Sequence, residues 1–277
     1  MQETFEGIVL FRRQYREEDT IVKLLTKEFG KRMFFIRRGQ QSNHAMRAQL
    51  IPFSKNQYVG TINPSGFSFV KEASTLAFPR KVLEDLTLQS YASYFVQLID
   101  AVFEDFDPQP HLYHLLNETL LKLNEGFNHD ILMVYFEIYL LPYFGTQLNW
   151  HHCQVCGSRQ EPFDFSINLG GLICRQHFND DPYRLHISPK AMHVAFLLAN
   201  TPLNKINSIN VSFETITELK RLTKELYQEF VGIRLKSKQF IDEMDQLDQK
   251  YQSILSKRGS KRTTSLQSQV DNSSDNR

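Results

Sequence analysis

The sequence predicts an α+β chain of more than one domain. A five-strand barrel comes first, followed by an all-helical domain that carries an inserted pair of metal-binding knuckles. Three observations lead there. Strand-like apolar runs fill the first eighty residues, and three- and four-residue apolar spacing takes over from Pro79. All three cysteines of the 277 residues fall in one short window, from Cys153 to Cys174.

The strands come in order. Residues 6–12, 19–26 and 31–38 are short apolar runs ending in charge, and Phe29-Gly30-Lys31 reads as a hairpin between the second and third. Residues 48–60 and 66–72 supply the fourth and fifth, joined by the turn Asn63-Pro64-Ser65-Gly66. Five short strands rich in Val, Ile, Phe and Tyr suit a small closed barrel such as an OB-fold over residues 1–80, with Val9, Val22, Leu24 and Ile36 inside.

The helical domain is expected in two parts, 81–149 and 181–256, around the insertion at 150–180. Residues 81–104 form one helix, Asp107-Pro108 breaks it, and helices follow over 109–125 and 129–147. The last of these is apolar from Ile131 to Phe144, which marks a central core helix that Pro142 kinks or ends. Ser188-Pro189 and Ser212 open two further helices, and 237–255 forms the final one. Residues 257–277 are polar enough to be a disordered tail.

Cys153-Gln154-Val155-Cys156 and Cys174-Arg175-Gln176-His177 have the two-residue spacing that lets a tight turn aim two ligand atoms at one ion. Gly157 and Gly170-Gly171 supply backbone freedom beside them. The set Cys153, Cys156, Cys174 and His177 predicts a structural zinc ion. His151 and His152 flank the first knuckle and compete with His177 for the fourth place. Four ligands close the site, and no His-Glu-x-x-His or His-x-Glu motif places a base beside it, so the zinc reads as a clamp and not as a catalyst.

Thiols at zinc spacing with none left for disulfides fit a reducing, cytoplasmic setting. No apolar run approaches the roughly 18 residues of a membrane span. The phosphate-loop, dinucleotide and nucleophile-elbow motifs of common enzymes are missing, which favours a binding protein over an enzyme. The net charge of +1 hides a separation: residues 1–80 carry 13 Lys and Arg against 7 Asp and Glu, while residues 81–150 carry 2 against 10. The barrel therefore suits a polyanion and the next segment repels one. The expected DNA contacts are Arg12, Arg13, Arg16, Lys31, Arg32, Arg37 and Arg38. Of the interleaved rings, only Tyr15 sits in a run polar enough to expect exposure.

Together these phrases resemble the bacterial RecO family: Gly7-Ile8-Val9-Leu10, Glu18 to Thr26, Gly30 to Ile36, Leu50-Ile51-Pro52-Phe53, Cys153-x-x-Cys156-Gly157, Phe163 to Ser166 with Gly170-Gly171, and Tyr227 to Phe240. They run in family order from about residue 5 to about residue 245. Cys-x-x-His at the second knuckle departs from the four-cysteine version of some members. The resemblance implies a DNA repair and recombination mediator at the nucleoid. Such a protein binds single- and double-stranded DNA and anneals complementary strands. With RecR and the single-strand-binding protein SSB, it helps load the recombinase RecA. A competing expectation is a zinc-ribbon transcription or scaffold factor without annealing activity. Residues 150–180 hold only Arg159 and Arg175 as cations, which argues against DNA contact by the knuckles themselves.

Overall fold

Five strands, β1 (Gln2–Tyr15), β2 (Asp19–Thr26), β3 (Gly30–Ile36), β4 (Lys55–Thr61) and β5 (Ser68–Ala77), close a barrel in the order β1-β2-β3-β5-β4. They come from a computed structural model that describes residues 2–247 and 250. All pairings are antiparallel except β3 with β5, and the barrel is the OB-fold that the strand pattern predicts. At 14 residues, β1 is long enough to pair with β4 through its first half and β2 through its second. A bulge between Val9 and Phe11 bends it between the two.

Val9, Val22, Leu24 and Ile36 do lie inside, packed with Phe5, Phe34, Leu50 and Tyr58. Phe5 stacks on Phe34 and on Tyr58 with ring centroids 5.5 and 5.7 Å apart. The hairpin glycine is required twice over. Gly30 has φ +70°, and a Cβ there would lie 2.3 Å from the carbonyl oxygen of Asp107. The fourth strand begins later than expected. Ala48–Leu50 is one 3₁₀ turn, Pro52 has no N–H to pair, and Phe53 adopts φ 70°, so the chain bends before it extends at Lys55.

The helices are α1 (Arg80–Glu84), α2 (Leu86–Val102), α3 (Pro110–Glu125), α4 (His129–Leu140), α5 (Pro189–Asn200) and α6 (Phe213–Phe230). The single helix expected over 81–104 is two. Asp85 is extended, and its carboxylate accepts from the Leu88 N–H at 3.0 Å, capping a new helix in place of continuing the old one. Asn128, Ser188 and Ser212 cap α4, α5 and α6 in the same way. Ile131 through Ile138 are all buried, so α4 is the central helix, packed by α2, α5 and α6. It passes into a 3₁₀ turn at Leu141–Phe144, where Pro142 stops it.

The insertion expected over 150–180 contains a hairpin of β6 (Phe163–Ser166) and β7 (Gly171–Cys174), a small sheet set into the helical domain. Four-residue strands whose side chains are buried on both faces lack the alternation that would reveal them in sequence. The described residues through Ile233 pack as one unit, and those from Arg234 to Leu247 belong to a second. In the second, 236–247 is helical and Lys238 pairs with Asp242 at 2.9 Å. The expected tail at 257–277 and the end of the helix expected over 237–255 lie outside the described residues.

Candidate metal centre and nucleic-acid interface

The β6–β7 hairpin positions the knuckles. Cys174 ends β7, and the loop carrying Cys153 and Cys156 folds beneath it. The Cys153 N–H donates to Ser158 O at 2.7 Å, and the Gly157 N–H donates back to Cys153 O at 2.9 Å. Gly157 and Gly170 take φ near +71° and +70° at the two turns. Trp150 packs on Phe165 at 4.7 Å, and Arg184 clamps the buried Asp164 at 2.9 Å, fixing the sheet behind the cluster.

Cys153 Sγ, Cys156 Sγ, Cys174 Sγ and one ring nitrogen of His177 all lie within 4.8 Å of one another. His177 Nδ1 is 3.7 Å from Cys153 Sγ and 3.2 Å from Cys174 Sγ, and Cys156 Sγ is 3.8 Å from Cys174 Sγ. A tetrahedron with metal–sulfur bonds of about 2.3 Å has sulfur–sulfur edges of about 3.8 Å, so the spacing fits one small ion. Burial raises both buried thiols, but at Cys153 the backbone N–H groups of Cys156, Cys174 and Val155 outweigh it and bring the thiol down to about 6, while Cys174 stays above its ordinary value. The competition for the fourth place resolves to His177. His152 Nδ1 instead meets Asn149 Nδ2 and Cys153 O, each at 3.1 Å, and His151 is not among the ligand atoms that cluster.

The seven expected DNA contacts separate into three groups. Arg13, Arg16, Arg37 and Arg38 are exposed. Arg12 and Arg32 are half-buried and partly spent on backbone: Arg12 donates to Gly39 O at 2.6 Å, and Arg32 to Phe29 O and Asn63 O at 2.9 and 2.6 Å. Lys31 must be removed from the set. It is 1% exposed, donates to the carbonyls of Asp100 (2.6 Å) and Phe103, and pairs with the carboxylates of Asp100 and Asp105 at 3.5 and 3.6 Å.

Lys23 joins that cluster, bonding Asp100 and Asp105 at 2.6 and 2.8 Å. The last turn of α2, with Asp100 and the carbonyl of Phe103 just after it, and Asp105 beyond thus bind two barrel cations, a helix end stabilised by positive charge. Part of the charge separation seen in the sequence is an internal joint between barrel and helices. Burial lowers the Lys31 pKa, with Asp100 opposing. Burial also acts on Lys23, but its hydrogen bonds to Asp100 and Asp105 raise its pKa overall.

Sequence reading missed an aromatic group on the open barrel surface. Tyr15, Phe35, Phe67 and Phe69 touch one another there. Strand alternation carried the signal: Phe34 and Ile36 point into the core, so Phe35 between them points out.

The chain matches the family description "Recombination protein O N terminal" over residues 1–78 and "Recombination protein O C terminal" over residues 83–239. It is 38% identical over 240 residues to the DNA repair protein RecO of Pediococcus pentosaceus, covering 87% of this chain and 95% of that one. Against the RecO of Lactiplantibacillus plantarum it is 39% identical over 244 residues, covering 88% and 95%. With Enterococcus faecalis RecO the identity is 35% over 239 residues, covering 86% and 91%. No helix among the described residues is long and apolar enough to cross a membrane.

Proposed function

Since the chain belongs to the RecO family of DNA repair proteins, we propose that it works as a non-catalytic recombination mediator. In this reading it binds single- and double-stranded DNA and anneals complementary strands. With RecR and SSB it loads RecA onto coated single strands, in the cytoplasm at the nucleoid. The barrel, residues 1–80, is the DNA-binding domain. The observation that carries the reading is the group of exposed arginines, Arg13, Arg16, Arg37 and Arg38, on a barrel whose buried cations are already engaged. Arg12 and Arg32 contribute through the guanidinium edges that their backbone bonds leave open. Annealing requires only that two strands be held with their phosphate repulsion relieved, which positive charge achieves without an active site.

Neutralised phosphates release counterions, so log affinity falls linearly with log salt. Replacing Arg37 and Arg38 together by Glu is expected to weaken binding to every sequence alike. It should also flatten the salt dependence by about 0.7 for each single-strand phosphate no longer neutralised. Unchanged affinity and slope in fluorescence anisotropy would rule these arginines out.

The ion we assign to Cys153, Cys156, Cys174 and His177 is zinc, because three thiolates and an imidazole in a closed tetrahedral set suit it. Its role is to hold the β6–β7 hairpin to the preceding loop. One equivalent per chain is expected by metal analysis of protein purified without chelator, and chelation is expected to lower the melting temperature. Metal-free protein of undiminished stability would contradict the assignment.

A further inference from the structure

The outward side of the barrel offers more than charge. Arg13 pairs with Ile21, Ile21 with Phe35, and Phe35 with Phe69, so one row crosses β1, β2, β3 and β5. Strand alternation puts Tyr15 and Phe11 on the same side as Arg13. Phe35 lies 6.1 Å from Tyr15 and 6.2 Å from both Phe67 and Phe69, while Tyr15 lies 5.7 Å from Phe67. The contacts of Phe35 with Tyr15 and Phe69 are edge-on, at 89° and 72°.

None of these rings belongs to the barrel core, which Phe5, Val22, Phe34, Ile36 and their neighbours fill from the other side. Phe69 leaves 47% of its surface in solvent, so the ring is open to a ligand. Cations frame the group. Arg16 lies over the Tyr15 ring at 5.3 Å and Arg13 over Phe11 at 4.5 Å. Arg37 follows Phe35 by two residues and Lys71 follows Phe69 by two, both exposed. Acids are nearby as well: Asp19 pairs with Tyr15 across β1 and β2, Glu18 lies 3.8 Å from Arg38 and Glu72 lies 4.0 Å from Lys71.

A patch that joins exposed π-faces to positive charge matches a ligand that carries both flat apolar faces and phosphates. Bases in a duplex keep their faces stacked on one another, and exposing them costs unpairing. Bases of a single strand are available. We propose that Phe69 and Phe35, supported by Tyr15 and Phe67, form a stacking platform for the unpaired bases of single-stranded DNA, with Arg13, Arg16 and Arg37 holding the flanking phosphates. The proposal deepens the DNA-binding reading above and rests on it. It adds a preference for single strands, insensitive to sequence because every base has a π-face.

The test uses the full chain, an oligothymidylate and an abasic oligonucleotide of equal length, which carries the same phosphates without bases. Wild-type protein is expected to bind oligothymidylate roughly ten-fold more tightly than the abasic strand. Phe69→Ala, at an exposed position, should bring that ratio close to one while leaving abasic binding, its salt dependence and the melting temperature unchanged. Phe69→Tyr should restore the ratio. A wild-type ratio of one with abasic binding intact overturns stacking and leaves phosphate binding standing. A Phe69→Ala ratio equal to wild type also overturns it, and is the result expected if the rings dock a protein partner. Failure to bind either strand removes the DNA-binding reading, and stacking with it.

Discussion

The outward face of β2 and β3 runs from a covered end to an open one. At the covered end Leu25 and Lys31 are buried, and Lys31 donates hydrogen bonds to the carbonyls of Asp100 in α2 and Phe103 just after it and pairs with Asp100 and Asp105. Four residues further along β3, on the same side, Phe35 lies among other rings, with the exposed Arg37 just beyond. Lys31 and Arg37 come from one short basic run, yet one closes an internal joint and the other faces solvent. A segment's net charge therefore counts cations without saying which are free to meet a ligand. What separates them is whether acidic side chains from elsewhere in the chain reach them first.

The largest effect expected from this contrast is on stability. Lys31→Met removes a buried ammonium and leaves the carbonyls of Asp100 and Phe103 without that donor, while Lys23 still holds the two carboxylates. It should cost about 2 kcal/mol in urea unfolding. The corresponding Arg37→Met should change stability by less than about 0.5 kcal/mol while weakening DNA binding. Equal stability costs at the two positions would dissolve the distinction between the ends.

A smaller effect concerns acid. Glu6, on β1 near the helical domain, is held below its ordinary pKa chiefly by a hydrogen bond from Lys55, against burial, with a further bond from Tyr113 of α3. A carboxylate lowered in the folded state contributes stability that is complete above its unfolded value, about 4.3, and fades as pH falls through the lower folded value. Thermal melts between pH 7 and pH 3 should therefore lose stability less steeply at the acid end in Glu6→Gln than in wild type. The open end supplies the contrast, because Arg13→Gln should leave the acid limb unchanged.

Much of this arrangement was legible in advance wherever the determining forces are local. The two-residue spacers named Cys153, Cys156, Cys174 and His177, and the structure brings those four together. Capping residues placed the starts of α5 and α6, and Pro142 placed the end of α4. Asp85 was also a local signal, but the apolar spacing on either side of it continues without a break and hid the cap. Arg13, Arg16, Arg37 and Arg38 were expected at the surface and are there. Lys31 was expected with them, and nothing within several residues of it indicates otherwise.

The sequence by itself determined the five-strand barrel, the succession of helices, the three knuckle cysteines and the family resemblance. Each depends on periodicity, spacing or capping over a few residues, where backbone geometry leaves few alternatives. Only the tertiary structure decided that His177 and not His151 or His152 completes the cluster, that Lys31 is spent inside the molecule, and that four rings gather on the open barrel face. Those outcomes depend on groups far apart in the chain, such as Lys31 and Asp100, 69 residues away. Such groups meet only after the barrel and the helical domain have packed, and burial and charge then redistribute together.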